Sequence, residues 1–171
     1  DLYCQLLKQS VSALKGEKVK PRVSAQVAFD FLSVGFDGAS ESGDKVGAAG
    51  SNNGGPELAN LPLGYIIEPE QRIQVYRKVA QATERAEIVA LEKELRDRFG
   101  PLPKTVELLL LAAEIKQLAS GCGVTRVETK GAKLMLTRHG DFIQLAGKFP
   151  RLIKKSAAAK LKEIKRLLMA L

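Results

Sequence analysis

The chain has 171 residues, enough for one sizeable domain or two small ones. Apolar residues make up 45% of it and charged residues 27%, as in ordinary globular proteins, and no run approaches about 18 uninterrupted apolar residues, which excludes a membrane-spanning helix. The net charge of +8 arises at one end, because residues 122–171 hold twelve basic and only three acidic side chains.

Cysteine and histidine are scarce. Cys4 and Cys122 lie far apart in the sequence, and His139 is the one histidine. A structural zinc site needs about four such ligands, so this chain alone cannot supply one. Two free, buried thiols in a reduced cytoplasm are the favoured interpretation, and a disulfide is the alternative. The chain begins with Asp and shows no signal peptide, so we expect a cytoplasmic segment of a longer protein.

The first third of the chain predicts little regular structure. Leucines at helical spacing predict a helix over 2–15, and β-branched and aromatic residues predict a strand over 21–31. Residues 37–64 hold seven of the fifteen glycines and predict a flexible surface insertion, because such a tract buries too little apolar area to offset its ordering entropy. Residues 65–67 then predict a short strand or strand-like lead.

Three helices are predicted next. Pro69 suits the first turn of a helix that presents Ile73, Tyr76 and Val79 or Ala80 on one face. Thr83 is the expected N-cap of a second helix. That helix should bury Ile88, Leu91, Leu95 and Phe99. The third is apolar nearly all round from 106 to 113 and should therefore lie at the centre of the domain.

A hinge of five residues separates the second and third helices. After Phe99, Gly100 permits a left-handed helix end and Pro101 prevents continuation. Pro103 suits the start of the next helix, because its missing N–H would have no partner there. The sequence therefore predicts a helix stop followed by a helix start that fixes the angle between two packed helices.

The last third predicts a small sheet and a final helix. Residues 124–129 and 134–137 flank a turn and predict a hairpin, 142–145 predict a third strand, and 157–171 predict an amphipathic helix. The chain as a whole predicts a single α+β domain, with helices packed on a small, mainly antiparallel sheet and an amphipathic helix at the end.

Catalytic motifs are weak throughout. Residues 38–45 resemble a phosphate-binding loop, but Asp44 stands where that loop needs a lysine and would repel phosphate. His139 is interpreted as an exposed turn residue and Cys122 as a small structural residue. Acidic and basic side chains that alternate over 84–98 indicate a solvated helix face. No catalytic, cofactor or metal site is therefore predicted in this chain.

The basic end, residues 148–166, is the strongest functional signal. Glu163 is the one acidic residue among its cations. Contact with nucleic acid, docking onto an acidic protein surface and a simply solvated face all stay open. Phe149 is the one aromatic residue among these charges, which argues against a site that stacks the bases of a single-stranded nucleic acid. The candidate contact residues are Lys154, Lys155, Lys160, Lys162, Lys165 and Arg166, and Lys148 and Arg151 are the other cations of this end.

Several short motifs together resemble one family. DLYC at residues 1–4, YI at 65–66, QR at 71–72, YR at 76–77 and RFGPLP at 98–103 are similar to the C-terminal domain of bacterial transcription-repair coupling factors. The resemblance covers 1–31 and 65–123 well and 124–171 in outline. Two features depart from the family pattern: the Gly-rich 37–64 tract, and Lys8-Gln9-Ser10, which stand where acidic residues are common.

The resemblance implies a regulatory role. Members of this family are ATP-driven DNA translocases that displace stalled RNA polymerase and recruit excision repair through UvrA. Their ATP and magnesium sites lie upstream of the segment that this chain resembles. The C-terminal domain is expected to be non-catalytic and to mask the N-terminal UvrA-binding region by an intramolecular contact. The alternative is a module that contacts DNA directly through residues 148–166; no membrane partner is expected.

Overall fold

The computed structural model describes residues 25–34, 56–144 and 147–171. The helix predicted over 2–15, Cys4, and residues 37–55 of the predicted insertion lie outside these ranges.

The first three strands are short. β1 (Gln26–Ala28) and β2 (Leu32–Val34) are separated by a turn, and β2 pairs in parallel with β3 (Glu57–Ala59) as a two-stranded sheet. The single strand predicted over 21–31 is therefore wrong in its bounds, because the chain turns at Asp30 and Phe31. The end of the predicted insertion is wrong as well: residues 56–64 contain β3, and Ala59 and Leu61 are buried.

A second, larger sheet has four strands. β4 (Val124–Lys130), β5 (Lys133–Arg138) and β6 (Asp141–Phe142) follow one another in antiparallel pairs, and β1 lies beside β4 in parallel, in the order β1-β4-β5-β6. The hairpin turn is at Gly131, whose φ of 62° suits glycine. The predicted hairpin and its mainly antiparallel pairing are confirmed, and the parallel β1–β4 pair makes the sheet mixed.

Four helices are present in the described residues. They are α1 (Pro69–Gln81), α2 (Arg85–Phe99), α3 (Lys104–Gly121) and α4 (Ala157–Met169). α3 contacts the other three helices and both sheets, and it is buried on nearly every side, as the largely apolar run 106–113 predicts. The prediction of an α+β fold with a central third helix and a final amphipathic helix is confirmed.

The starts of the first two helices differ from the prediction. Residues 65–67 are not a strand: Tyr65 and Ile66 both donate their N–H to the carbonyl of Pro62, which forms a turn. The N-cap of α2 is Glu84 rather than Thr83, because Glu84 and Glu87 form a reciprocal capping box. On α1 the buried residues are Val75 and the predicted Val79, whereas the predicted Ile73 is 58% exposed.

α4 packs its apolar stripe against α3. Leu161, Ile164 and Leu168 are fully buried, whereas Leu171 is exposed. Ser156 caps the helix by accepting a hydrogen bond from the N–H of Ala159. In the described part of the chain, no helix has the length and apolarity that a membrane crossing requires.

Candidate functional site

The predicted hinge lies between α2 and α3 and depends on one glycine. Gly100 ends α2 with φ 87° and ψ −161° and donates its N–H to the carbonyl of Arg96. The positive φ confirms the need for glycine, but ψ differs from the predicted left-handed helical value. This conformation is essentially restricted to glycine. Pro103 then precedes the first residue of α3, with φ −62° and ψ 152°.

A tyrosine that sequence reasoning missed fixes this hinge. The hydroxyl of Tyr65 lies 3.0 Å from the carbonyl oxygen of Leu95 and 3.1 Å from that of Gly100. The centroids of the Tyr65 and Phe99 rings are 5.8 Å apart. The Arg98 guanidinium lies 5.2 Å from the centroid of the Phe99 ring. Burial raises the pKa of the Tyr65 hydroxyl above its ordinary value of 10.0, although the charge of Arg96 opposes the shift.

The six candidate cations of the basic end differ in their exposure and in their partners within the protein. Lys154, Lys155, Lys162 and Arg166 are exposed. Lys165 is not available for a partner, because its side chain is only 19% exposed and its ammonium pairs with the buried carboxylate of Glu114.

Glu114 is a second residue that sequence reasoning missed. It is 7% exposed in the middle of the buried α3, where an unpaired carboxylate would be costly. Lys165 of α4 pairs with one of its oxygens, and Arg85 of α2 lies 3.6 Å from the other. A single glutamate in the apolar run 108–115 was the available signal, and the structure shows that it joins three helices.

Lys160 also makes contacts within the protein. Its ammonium lies 4.6 Å from the centroid of the Phe31 ring, within the range of a cation–π contact. It lies near Asp30, which accepts hydrogen bonds from the Thr129 hydroxyl and the Gly131 N–H. Burial pushes the pKa of Asp30 upward, but these two bonds and the charge of Lys160 outweigh it and hold the pKa below its ordinary value of 3.8.

Glu163, the one acidic residue within the basic end, forms hydrogen bonds with nearby backbone groups. Glu163 accepts hydrogen bonds from the backbone N–H groups of Ile153, at 3.1 and 3.3 Å, and Lys154, at 3.3 Å. Its carboxylate therefore holds the segment before α4 onto that helix. The exposed cations on either side are not paired with it.

The other sequence candidates have ordinary surroundings. His139 is exposed in a turn with φ 53°, beside Gly140. The thiol of Cys122 is half-buried and donates to the carbonyl of Leu168 at 3.4 Å. Across 25–34, 56–144 and 147–171, histidine, cysteine and carboxylate side chains form no group of three or more that could hold a metal ion.

Three exposed apolar side chains lie at the entry to α1. Leu63, Ile67 and Ile73 are 69%, 81% and 58% exposed within eleven residues of chain, and we call these three residues the α1 entry surface. The backbone beneath them is held in place: the N–H of Leu61 donates to the Tyr76 hydroxyl at 2.9 Å, and Arg72 donates to the carbonyl of Leu61. Large apolar side chains presented on a fixed backbone are typical of a contact surface.

Comparison with known proteins places this geometry in a family. The TRCF domain model matches residues 58–143, from β3 to β6. The transcription-repair-coupling factor of Staphylococcus haemolyticus is 32% identical over 134 residues, which is 78% of this chain and 9% of that protein. The homologous factor of Mycobacterium tuberculosis is 36% identical over 77 residues, which is 45% of this chain and 6% of that protein.

One solved structure supports the same assignment at the level of the fold. The crystal structure of the C-terminal domain of a transcription-repair coupling factor superposes with a TM-score of 0.50 at 22% identity, covering 64% of this chain and 88% of that one. This chain spans only 6–9% of the length of these two relatives. The chain belongs to the TRCF domain family, the C-terminal domain of transcription-repair coupling factors.

Proposed function

We propose that this chain is a non-catalytic regulatory domain that closes onto the N-terminal UvrA-binding region of its parent protein and masks it. The observation that carries the proposal is the α1 entry surface. It exposes three large apolar side chains within the segment that matches the TRCF family, on a backbone anchored by Tyr76 and Arg72. Covering such a surface is favourable by about 25 cal/mol for each Å² of apolar area removed from water.

A tether makes a modest contact sufficient. Two surfaces on one chain meet at an effective concentration in the millimolar range when the linker is short and flexible. A patch of three apolar side chains then stays covered without the large interface that separate proteins require. The regulatory domain therefore holds the closed state through its connection to the parent as much as through its own affinity.

Opening requires a competitor that binds the released state better. The closed and open forms of the parent are in equilibrium. A ligand shifts this equilibrium only by the difference between its affinities for the two forms. UvrA and RNA polymerase are the proposed competitors, and both act on the parent rather than on this chain alone. ATP and magnesium are proposed to bind elsewhere in the parent.

Paired substitutions test whether the α1 entry surface is the docking face. Ile67→Ser with Ile73→Ser in the full-length parent should raise its affinity for UvrA, because the domain no longer covers the binding region. Both side chains are more than half exposed, so the change should alter the stability of the domain by less than about 0.5 kcal/mol each. UvrA affinity is measured by a pull-down or by calorimetry.

Val89→Ser is the matched control. Val89 is 48% exposed on α2, outside the α1 entry surface, and makes the same kind of apolar-to-polar change at one position. We expect this control to leave UvrA affinity unchanged. Equal effects of the control and the double variant, or no effect of either, would contradict the choice of docking face.

A further inference from the structure

The outer face of the four-stranded sheet carries a row of three cations. Lys130 on β4 is directly opposite Lys133 on β5, and Lys133 is opposite Arg151 in an isolated bridge on the other side. Residues directly opposite one another share a face of the sheet. We call Lys130, Lys133 and Arg151 the cationic row; neighbouring strands place its members about 5 Å apart.

The cationic row lies on the solvent side of the sheet. The residues adjacent to these cations in sequence are buried on the opposite face. Thr129 and Leu134 are buried opposite each other, and Pro150 and Leu152 are buried beside Arg151. The three cations are exposed. None of them forms an ion pair with a residue that the structure describes.

Like charges in this arrangement oppose folding. Cations directly opposite each other in a sheet are destabilising, and here three stand in register. A carboxylate at the hairpin, that of Asp30, is already hydrogen-bonded to Thr129 and Gly131. On the same outer face, Glu128 is 3.2 Å from Arg126. The row therefore presents about three uncompensated positive charges, which is an arrangement suited to a chain of anions.

An aromatic pair lies on the same face, four residues along β5 from the cationic row. Phe142 on β6 is opposite Thr137, and its ring is 54% exposed. The Phe149 ring meets it edge-on, with centroids 5.7 Å apart and an interplanar angle of 80°. An exposed phenyl held in this way offers a flat face to a nucleobase. Four residues of strand span about 13 Å, so the base and the phosphates would be separated by roughly two nucleotides.

The geometry points to a binding site for a single strand of DNA on this sheet face, with phosphates on Lys130, Lys133 and Arg151 and one base stacked on Phe142. The site overlaps the basic end at Arg151 and Phe149, whereas Lys130, Lys133 and Phe142 lie outside it. A base is free to stack only when it is unpaired, which favours a single strand over a duplex. Met135 lies between the cations and the aromatic pair; its apolar surface would desolvate a ribose 2′-hydroxyl without offering a partner, which favours DNA over RNA.

Fluorescence anisotropy with a labelled 20-nucleotide oligo(dT) tests the site on the full chain. Three phosphate contacts predict a loss of affinity of about 20-fold between 50 and 200 mM salt, from a slope of about 0.7 per phosphate on a single strand. The variant Lys130→Gln/Lys133→Gln/Arg151→Gln should weaken binding by more than about ten-fold at 50 mM salt and remove most of the salt dependence. Phe142→Ala should weaken binding by about ten-fold without changing the salt slope.

A control variant removes the same charge from another surface. Lys155→Gln/Lys162→Gln/Arg166→Gln neutralises three exposed cations at and before α4 and should leave most of the binding intact. Circular dichroism and thermal unfolding verify that each variant is folded. The site is refuted if the control loses as much affinity as the row variant, if duplex DNA or RNA of equal length binds more tightly than oligo(dT), or if only an acidic peptide binds.

Discussion

At the residue scale, the fold depends most clearly on Gly100. Its φ of 87° and ψ of −161° are accessible to glycine and strongly disfavoured for other residues. A Cβ at this position would meet no atom within 4 Å, so the requirement comes from the backbone itself and not from crowding. Gly100 therefore sets the direction in which the chain leaves α2.

Gly100→Ala should destabilise the protein by about 1–3 kcal/mol, because alanine must adopt the strained backbone conformation. Urea unfolding followed by circular dichroism measures the change in the free energy of unfolding. Gly121→Ala is the control: it lies at the end of α3, and a Cβ there also has open space. We expect the control to be neutral or stabilising by about 0.4–1 kcal/mol. A Gly100→Ala variant as stable as the control would contradict this explanation of the hinge.

Tyr65 makes the stability of the hinge sensitive to alkaline pH. Its pKa is raised in the folded state, chiefly by burial, so the unfolded chain loses the phenolic proton first. The stabilising contribution is therefore fully present below pH 10 and is lost as the pH rises through the folded-state pKa. We expect the free energy of unfolding to fall above pH 10 by more in the wild type than in Tyr65→Phe.

Tyr65→Phe should also cost about 0.5–1.5 kcal/mol at neutral pH, because it removes the hydroxyl that reaches the carbonyls of Leu95 and Gly100. Unfolding curves of both proteins at pH 7 and at several values above pH 10 measure the two effects together. Parallel stability profiles across this range would show that Tyr65 does not titrate with folding.

At the scale of elements, α4 is held by packing and by one buried ion pair. Leu161, Ile164 and Leu168 supply the apolar contact with α3. Lys165 reaches Glu114 from the same helix. A buried carboxylate whose partner is removed is destabilising, because its desolvation is no longer compensated. The ion pair therefore makes the position of α4 specific, whereas the apolar stripe supplies most of the attraction.

Lys165→Met should destabilise the protein by about 1–3 kcal/mol, since only the half-exposed Arg85, 3.6 Å away, then remains beside Glu114. Lys162→Met is the matched control on the exposed side of α4, and its effect should stay within about 0.5 kcal/mol. Thermal unfolding compares the two variants. Equal melting temperatures would show that the Glu114–Lys165 pair has no role in holding α4.

Elements with a local pattern were predictable from sequence, and elements formed by distant pairing were not. Ile88, Leu91 and Leu95 repeat at helical spacing and define α2, and the 106–113 run defines α3, so both were identified correctly. The parallel pairing of β2 with β3 joins residues more than twenty positions apart, and nothing in three-residue strands indicates the partner. Ile73 was placed on one helix face with Tyr76 and Val79, but periodicity alone does not show which apolar residues of a face find a neighbour.

The candidate surfaces show the same division. The charge of the basic end was evident from composition, but its separation into an internal pair at Lys165 and exposed cations at Lys154, Lys155, Lys162 and Arg166 required the fold. The cationic row was not predictable, because Lys133 and Arg151 become neighbours only through an isolated bridge. Phe142 and Phe149 likewise meet across a loop, which removes the sequence-based objection that aromatic side chains are too few for stacking.

At the scale of the whole molecule, the surfaces separate into two regions with different chemistry. The α1 entry surface is apolar and lies within the segment matched to the TRCF family. The cationic row combines hairpin residues of that segment with Arg151, which lies beyond it. An apolar contact weakens little with salt, whereas phosphate contact weakens steeply. The two proposed interactions are therefore separable in one titration.

The most direct test of the regulatory proposal compares the full-length parent with a form that lacks this segment. UvrA affinity and the DNA-stimulated ATPase rate are measured for both proteins under the same salt conditions. The account predicts that deletion raises both quantities, because the domain opposes the open state. Unchanged UvrA binding, together with a salt-dependent loss of DNA affinity, would contradict masking and would identify the cationic surfaces as the functional ones.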